Sequence, residues 1–310
     1  MGWYLLRRLS FSLLAVLVVA SVVFVLLRLT PGDPAATYVG LDVASDDVIE
    51  AVRDKWGLND SLLVQYRSFV TNLVRGDLGE SFVYGESAFR VVFWRLPNTI
   101  LLAAVALLFT VLLAVPLGIL AARNSGKTID NGIGAAAITF QSMPEFWLSI
   151  ILIQLFALRL GWFPTSGFSG WRSVILPGFT VSLLQLALVS QIVRRELIRL
   201  EKSPMADALR ARGVSERRLL WGHLVRNSGI PVLTVLGTRF AMMINGIVII
   251  EAVYNWPGVG NLAIQSLRSR DYPLIQANVL ITSILAVMIN LAVDLSYYLI
   301  DPRVRRQTSR

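Results

Sequence analysis

Cysteine is absent from this 310-residue sequence, and histidine occurs once, at His223. The lack of cysteine excludes disulfides, thiolate metal sites and a cysteine nucleophile. A single histidine without a partner ligand does not form a metal site, so we interpret His223 as a packed residue on a helix. We therefore predict that this chain binds no metal ion.

Motifs of catalysis are also missing or incomplete. Gly126-Lys127-Thr128 is similar to the end of a phosphate-binding loop, but the glycine required at position 121 is Ala121. Ser169 lies in a Gly-Phe-Ser-Gly sequence of the kind found in intramembrane proteases, but the only histidine lies in a segment on the other side of the predicted membrane. We predict that the chain has no catalytic residues and is not an enzyme.

Charged residues make up only 16% of the sequence, whereas 55% of the residues are apolar and the mean hydropathy is +0.62. The apolar residues form long uncharged runs, which are typical of a protein that crosses a membrane several times. We predict six spans at Leu9–Leu27, Thr99–Ala121, Ile133–Leu158, Val174–Val193, Ile230–Val253 and Gln276–Ile300. The first run exceeds the length of a typical signal peptide core and lacks a cleavage site, so we expect it to be retained.

Lysine and arginine are distributed unequally between the segments that join these runs. Alternate segments, which include both termini and residues 194–229, hold 17 of them, whereas the short loops on the other side hold four. Because positive charge stays on the cytoplasmic side, we predict an all-α membrane protein with six transmembrane helices and both termini in the cytoplasm. The net charge of +9 is then a topology signal and does not indicate nucleic-acid binding.

The predicted spans divide the chain into three parts. Residues 1–29 form the first span with a cytoplasmic N-terminus, residues 30–98 form an extracytoplasmic cap, and residues 99–310 form a core domain with five spans. The core domain includes the basic segment 194–229, between the fourth and fifth spans.

The cap is predicted to contain two short amphipathic helices. Apolar residues recur at helical spacing after Ser45 and again after Ser61, and Gly57 and Gly76 end the two stretches. These helices either pack on the membrane domain alone or also receive an external partner.

An irregular loop is predicted after the fifth span, because a proline and two glycines interrupt the helix from Asn255 to Gly260. Irregular backbone at membrane depth is tolerated only against protein or a water-filled cavity, and tryptophan suits the membrane interface. We predict that this loop gates an external entrance. The residues assigned to this outer gate are Glu251, Trp256, Pro257 and Gly258.

Polar side chains within the predicted spans are expected to face protein or water rather than lipid. Some of them join helices through hydrogen bonds, and others are candidates to line a path through the membrane. The candidates for this path are Gln141, Glu145, Gln185 and Asn245.

The basic segment contains the signals of one short helix. Ser203 suits its N-cap, Pro204 its first position and Gly213 the left-handed residue after its end. We predict a helix over Pro204–Arg212, outside the membrane, through which a soluble partner can act on the spans. The residues assigned to this contact are Met205, Ala206, Asp207, Ala208, Leu209, Arg210, Arg212 and Gly213.

Motifs along the whole chain resemble those of one family. The short helix resembles the EAA motif of ABC-importer permeases, with Asp207 in place of the usual Glu and Leu209 in place of the second Ala. Other similar segments are 28–34 (RLTPGDP), 76–82 (GDLGESF), 142–147 (SMPEFW), 164–167 (PTSG), 251–260 (EAVYNWPGVG), 270–273 (RDYP) and 301–303 (DPR). The chain resembles the B-type permease subunit of the dipeptide, oligopeptide and nickel ABC importers.

This resemblance implies a multi-pass protein of a bacterial plasma membrane, surrounded by membrane lipid. It implies a homologous second permease, two cytoplasmic ABC ATPases docked on the coupling helices, and an extracytoplasmic substrate-binding protein. ATP and Mg are expected to be used by the ATPase subunits, with no cofactor on this chain. The implied cargo is a di- or oligopeptide, with nickel or glutathione as alternatives. An ion-coupled carrier that acts alone is the alternative of a different class.

Overall fold

The computed structural model describes residues 2–39 and 45–300, and most of these residues are helical. The described residues contain no β-strand, apart from an isolated β-bridge between Glu80 and Ser87. The prediction of an all-α protein is therefore confirmed. The similar segment at 301–303 and cap residues 40–44 lie outside the described residues.

Fourteen α-helices are found in the described residues. They are α1 (Gly2–Leu29), α2 (Pro34–Val39), α3 (Asp46–Lys55), α4 (Leu62–Val74), α5 (Ala88–Arg123), α6 (Thr128–Ser142), α7 (Glu145–Leu152), α8 (Arg172–Glu201), α9 (Pro204–Ala211), α10 (Glu216–Arg218), α11 (Val225–Gly246), α12 (Val248–Val253), α13 (Val259–Arg268) and α14 (Tyr272–Ile300). Two π-helical segments, Ile153–Arg159 and Leu219–Leu224, continue α7 and α10.

The described residues form two compact units. The first combines residues 2–39, 45–99 and 257–288, and the second combines residues 100–256 and 289–300. The first unit thus places the cap with α13 and the start of α14, although they are far apart in the sequence.

The core of the first unit forms where α5 meets α13 and α14. Its buried members are Ala88, Val92, Val259, Leu262, Leu274, Ala277 and Ile281. The two predicted cap helices are confirmed as α3 and α4, and Gly57 and Gly76 follow their ends with positive φ. Between them, the Trp56 ring stacks on the Phe82 ring, with centroids 3.6 Å apart.

The second unit is built around α8. This helix packs against α6, α7 and α11. In its most apolar stretch of 18 residues, 72% is buried inside the protein, whereas the corresponding stretch of α5 is 28% buried. Pro177 lies within the helix, in its first part. The helix extends beyond the predicted span end at Val193 as far as Glu201, and so leads into the basic segment.

Among the described residues, three helices are long and apolar enough to cross a membrane, namely Ala88–Arg123, Arg172–Glu201 and Tyr272–Ile289. The third predicted span, Ile133–Leu158, is not one helix: α6 and the helix from Glu145 to Arg159 meet at an angle of 105°. Met143 is extended there, with φ −77° and ψ 135°, because a residue before proline is disfavoured in the helical region. If these two bent helices together form one span, the described residues contain four candidate spans.

The helix α5 has 36 residues and begins at Ala88, well before the predicted span start at Thr99. Its first turns contain Arg90 and Arg95, which ended the apolar run in the sequence. Charged side chains are tolerated in a helix outside the membrane, so the helix is longer than its apolar part.

Candidate functional site

The short helix of the basic segment forms as predicted and ends one residue earlier than predicted, at Ala211. Ser203 is its N-cap, with an extended backbone, and its Oγ accepts a hydrogen bond from the amide of Ala206 at 3.4 Å. Proline at the first position loses no hydrogen bond, because the first amides of a helix have no partner within it. Local chemistry therefore fixes where α9 begins.

Gly213 ends this helix in the left-handed conformation, with φ 76°. Its amide donates to the carbonyl of Arg210 at 2.9 Å, and the next amide, of Val214, donates to the carbonyl of Leu209 at 3.1 Å. No heavy atom lies within 4 Å of the position that a Cβ on Gly213 would take. The requirement for glycine here is thus one of backbone conformation and not of space.

The two faces of α9 differ in exposure. Ala206 is fully buried where the helix packs on α8 and the π-helical segment Leu219–Leu224, while Met205 and Leu209 are half-buried. Asp207 and Ala208 are exposed, and 75% of the Asp207 side chain is accessible. The outward surface therefore offers a carboxylate beside a small apolar residue.

Arg210 is held by acidic residues of its own chain. Its Nε donates to Glu216 at 2.8 Å, and its other nitrogens lie 3.7 Å from Glu201 and 3.5 Å from Asp207. This hydrogen bond raises the pKa of Arg210 and lowers the pKa of the Glu216 carboxyl. Arg210 therefore braces the loop, and Arg212, which is exposed, is the cation that remains available to a partner.

Beside this loop lies a cavity of about 300 Å³ that the sequence did not predict. Its walls include Arg123, Leu197, Arg217 and Trp221. Trp221 is 55% exposed, although it lies in the π-helical segment that packs under α9. In the sequence, the signal for a contact surface here was a tryptophan within a basic segment, and the structure shows that this tryptophan is exposed.

A second unpredicted feature fixes the turn before α6. Arg194 makes two hydrogen bonds of 2.6 Å to the carboxylate of Asp130, which also accepts the amide of Gly126 at 2.9 Å. Asp130 is buried. Gly126-Lys127-Thr128 is thus a turn closed by a bidentate ion pair.

The predicted outer loop is shorter than the sequence indicated. The irregular backbone covers Tyr254 to Gly258, and α13 begins at Val259, so the prediction of a non-helical chain through Gly260 was wrong. Gly258 caps α13 in an extended conformation, and its carbonyl accepts the amide of Leu262 at 3.1 Å. Helix formation here is favoured because it buries Val259 and Leu262 in a core.

Trp256 is fully buried, so its ring packs against protein, and its place at the depth of the membrane interface stays a prediction. Its amide donates to the carbonyl of Glu251 at 2.7 Å, and its ring meets Phe168 edge-on at 5.3 Å. Glu251 is buried as well. The amide of Gly167 donates to the carbonyl of Tyr254 at 2.8 Å, so the PTSG segment and this loop are joined.

In the first unit, the other end of the same loop is fastened to α5. Asn98 donates to the carbonyl of Pro257 at 2.9 Å, and the hydroxyl of Thr99 accepts the amide of Val259 at 2.9 Å. Asn278 donates to the carbonyl of Val259 at 2.8 Å. The backbone of this loop is therefore irregular, but side chains of α5 and α14 form hydrogen bonds with its end.

The four predicted path residues remain predictions. Gln141 is exposed near the end of α6, Glu145 is half-buried at the start of α7, and Gln185 is half-buried in α8. The side chain of Asn245 lies outside those described. Glu145 occupies the first turn of a helix, where the helix dipole favours a carboxylate.

Comparisons with known proteins identify the family to which this chain belongs. Residues 114–306 match the family described as "Binding-protein-dependent transport system inner membrane component", and residues 1–103 match its N-terminal region, "Binding-prot-dependent transport system membrane comp, N-term". The chain belongs to this family. Its place as a multi-pass component of the plasma membrane, which the family resemblance implied, is confirmed.

Relatives of this permease match it along nearly its whole length. It is 36% identical to "Probable peptide ABC transporter permease protein y4tP" of Sinorhizobium fredii, over 98% of this chain and 100% of the relative. It is 33% identical to "Oligopeptide transport system permease protein AppB" of Bacillus subtilis, over 98% and 99%. It is 35% identical to "Glutathione transport system permease protein GsiC" of Salmonella choleraesuis, over 97% and 98%. The resemblance to B-type permeases of peptide and nickel ABC importers is confirmed.

Solved structures with a similar fold include the inward-facing MetNI methionine ABC transporter, with a TM-score of 0.57 and 16% identity. That match covers 68% of this permease and 96% of the other chain. An amino acid ABC transporter gives a TM-score of 0.54 over 68% and 94%. At this identity the likeness concerns the fold alone.

Proposed function

We propose that this permease forms, with a homologous second permease, the pathway by which di- or oligopeptides are imported with energy from ATP. The proposed topology has six spans and cytoplasmic termini, with the broken pair α6–α7 as the third span. The charge asymmetry of 17 to four Lys and Arg residues supports this orientation. The peptide and oligopeptide permeases among its relatives support the cargo.

The observation that carries the proposal is the geometry of α9. A helix of eight residues leaves α8, is anchored by buried Ala206, and turns back at Gly213 into the helix that leads to α11. A push on its exposed side is therefore transmitted to two long helices. We infer that a cytoplasmic ATPase docks on the side formed by Asp207 and Ala208, with Met205 and Leu209 at its edges and Arg212 toward an acidic rim.

The remaining partners follow from this arrangement. An ABC importer permease works in general with ATPase and substrate-binding partners. We propose two ATPase subunits, which bind ATP and Mg, and one extracytoplasmic binding protein that delivers the peptide to the cap. No cofactor is assigned to this chain. The loop with Glu251, Trp256, Pro257 and Gly258 is proposed as the outer gate.

A charge reversal on α9 tests the proposal. The complete importer is reconstituted in proteoliposomes with its binding protein, and uptake of a labelled peptide and ATP hydrolysis are measured together. Asp207→Lys is expected to leave the permease in the membrane but to weaken ATPase docking or to separate hydrolysis from uptake. Lys127→Glu is the matched control, because it also reverses an exposed charge, in the turn before α6 and outside both α9 and the cap. Normal assembly and uptake with Asp207→Lys would contradict the coupling role.

Topology is tested separately with reporter fusions. Reporters after Arg212 and after Arg310 should read cytoplasmic, and a reporter at Asp60 should read external. An external reading at Arg212 would overturn the orientation, whatever the uptake assay shows.

A glutathione cargo is the second candidate, because the Salmonella glutathione permease is as similar to this chain as the peptide permeases are. Competition of labelled peptide uptake by unlabelled glutathione distinguishes the two. Peptide uptake that glutathione leaves unchanged favours the first.

A further inference from the structure

Arg28 occupies a fixed position near the end of α1. Its guanidinium carbon lies 3.7 Å from the centre of the Phe24 ring and 5.6 Å from the centre of the Tyr272 ring. Its Nε donates to the side-chain oxygen of Gln65 at 3.1 Å. Two aromatic faces and one hydrogen bond thus hold the cation without neutralising its charge.

Two buried donors in this region have no acceptor. Nη1 of Arg28 and Nε2 of Gln276 are buried and lack a hydrogen-bond partner in the part of the chain that the structure describes. Asp33, the acid closest to Arg28 in the sequence, forms an ion pair of 2.7 Å with Arg53. Buried donors without acceptors are destabilising, above all when one is charged. Within residues 2–39 and 45–300 the two groups have no acceptor, so a bound group can supply one.

Space for such an acceptor is present next to both donors. Arg28 and Gln276 line two cavities, of about 380 Å³ and about 170 Å³, and Trp56 and Pro273 also line both. Charged residues from other elements line them too: Lys55 and Glu80 the first, and Asp60 and Asp77 the second. These three acids are exposed, whereas the unmatched donors are buried, so an anion is favoured at the donor end.

We propose that these cavities hold a phosphate group, carried by a phospholipid headgroup, between Arg28 and Gln276. A guanidinium matches the geometry of phosphate oxygens, and the amide of Gln276 supplies a further donor. Arg28 directly follows the first predicted span and Gln276 begins the last, so both lie at the outer membrane surface, where headgroup phosphates are dense. This depth rests on the proposed six-span topology. Trp56 at the cavity wall also suits that depth.

The test is a binding measurement on the assembled importer. The detergent-purified, delipidated complex is titrated with palmitoyl-oleoyl phosphatidylglycerol, and bound lipid is counted by native mass spectrometry. A parallel titration uses sodium phosphate as a competitor. Arg28→Gln is expected to weaken the saturable lipid binding about tenfold, the loss of one charge-assisted contact. Gln276→Leu, which keeps the side-chain size, should weaken it about threefold.

Arg75→Gln is the matched control, because it removes another arginine of the same unit, one that is exposed at the end of α4 and lines neither cavity. It should bind lipid as the wild type does. The unfolding midpoint of each variant without lipid shows whether it is folded. Because Gln276→Leu leaves the cation in place, it still tests the site if Arg28→Gln does not fold.

Three outcomes are informative. Lipid binding that depends on Arg28 and Gln276 supports the headgroup site. If phosphate binding depends on Arg28 and Gln276 but phosphate displaces no lipid, the site exists and its ligand is a free anion rather than a headgroup. Absence of saturable binding by the wild type, or equal binding by all variants, overturns the proposal. Failure of the importer function would instead appear as absent uptake, which this measurement does not use.

Discussion

The short helix α9 and the cap are stabilised by contacts of very different range. In the loop of α9, the hydrogen bond from Arg210 to Glu216 joins residues six positions apart, and the cap of Ser203 on Ala206 spans three. In the cap, Ser81 donates to a carboxylate oxygen of Asp271, which is 190 positions away. The first region can form as soon as its own sequence is present, whereas the second requires most of the chain. A change in the cap should therefore affect folding, and a change in α9 should affect coupling.

The largest effect is expected at Asp271, which is fully buried. Its carboxylate accepts hydrogen bonds from the Ser81 hydroxyl and from the amides of Val83 and Leu274. Asp271→Ala leaves these donors without an acceptor, at a cost of about 1–3 kcal/mol for each that stays buried. We expect rapid proteolysis of the cap and a clearly lower unfolding midpoint. Asp46→Ala, on the surface of α3, is the control, and equal midpoints for the two would contradict the long-range account.

A smaller effect is expected at Gly258, where the chain is buried. Its backbone is extended, a conformation that valine adopts, so the expected cost comes from added volume at a buried position, where overpacking costs about 1–3 kcal/mol. Gly258→Val should reduce peptide uptake while the complex still assembles, because the loop is proposed as the outer gate. Gly258→Ala is the graded control and should retain more uptake. Wild-type uptake by Gly258→Val would show that the loop has only a structural role.

At Gly213 the expected cost is lower and arises from the backbone alone. Gly213→Val forces a side chain into the left-handed region, at about 1–2 kcal/mol, although the space around it is open. We expect normal membrane insertion and weaker coupling of hydrolysis to uptake. Gly213→Asn is the discriminating control, since asparagine tolerates this conformation. If both substitutions uncouple the complex equally, the backbone argument is wrong.

The smallest effect concerns pH and the Arg210–Glu216 pair. The pKa of the Glu216 carboxyl lies below its ordinary value of 4.5, because Arg210 donates to it. The pair therefore stabilises the loop fully above that value, and this stabilisation is lost as the pH falls through the lowered pKa. Hydrogen exchange of the α9 amides should show reduced protection at acidic pH, corrected for intrinsic rates. Glu216→Gln should remove the difference, and salt should weaken the effect in the wild type.

The same contrast of range explains what could be predicted from the sequence. The start and end of α9 follow from Ser203, Pro204 and Gly213, each of which acts within one turn. The ends of α3 and α4 follow from similar signals. The bend at Pro144 had a local signal as well, but the apolar run continues through it, and hydropathy does not register a turn.

Other features had no local signal at all. Two of the partners of Asp271, Ser81 and Val83, come from a distant segment, and the ion pair of Arg194 with Asp130 joins residues 64 positions apart. The helical start at Val259 follows from burial of its side chain in a core whose other members, apart from Leu262, lie on α5 and α14. These features depend on contacts between residues that are far apart in the sequence, and such contacts cannot be predicted from a single sequence.

The length of α5 has a consequence for how such permeases can vary. Its 36 residues rise about 54 Å if straight, against about 30 Å for the hydrocarbon of a bilayer. In the proposed topology about 24 Å of the helix therefore lies outside the hydrocarbon. Each inserted residue would turn everything beyond it by about 100°, whereas seven residues return it to within about 20° of its original direction. Insertions and deletions in α5 should therefore be tolerated best in steps of seven residues, because such a step of about 10 Å nearly preserves the direction of the helix face that carries Ala88 and Val92.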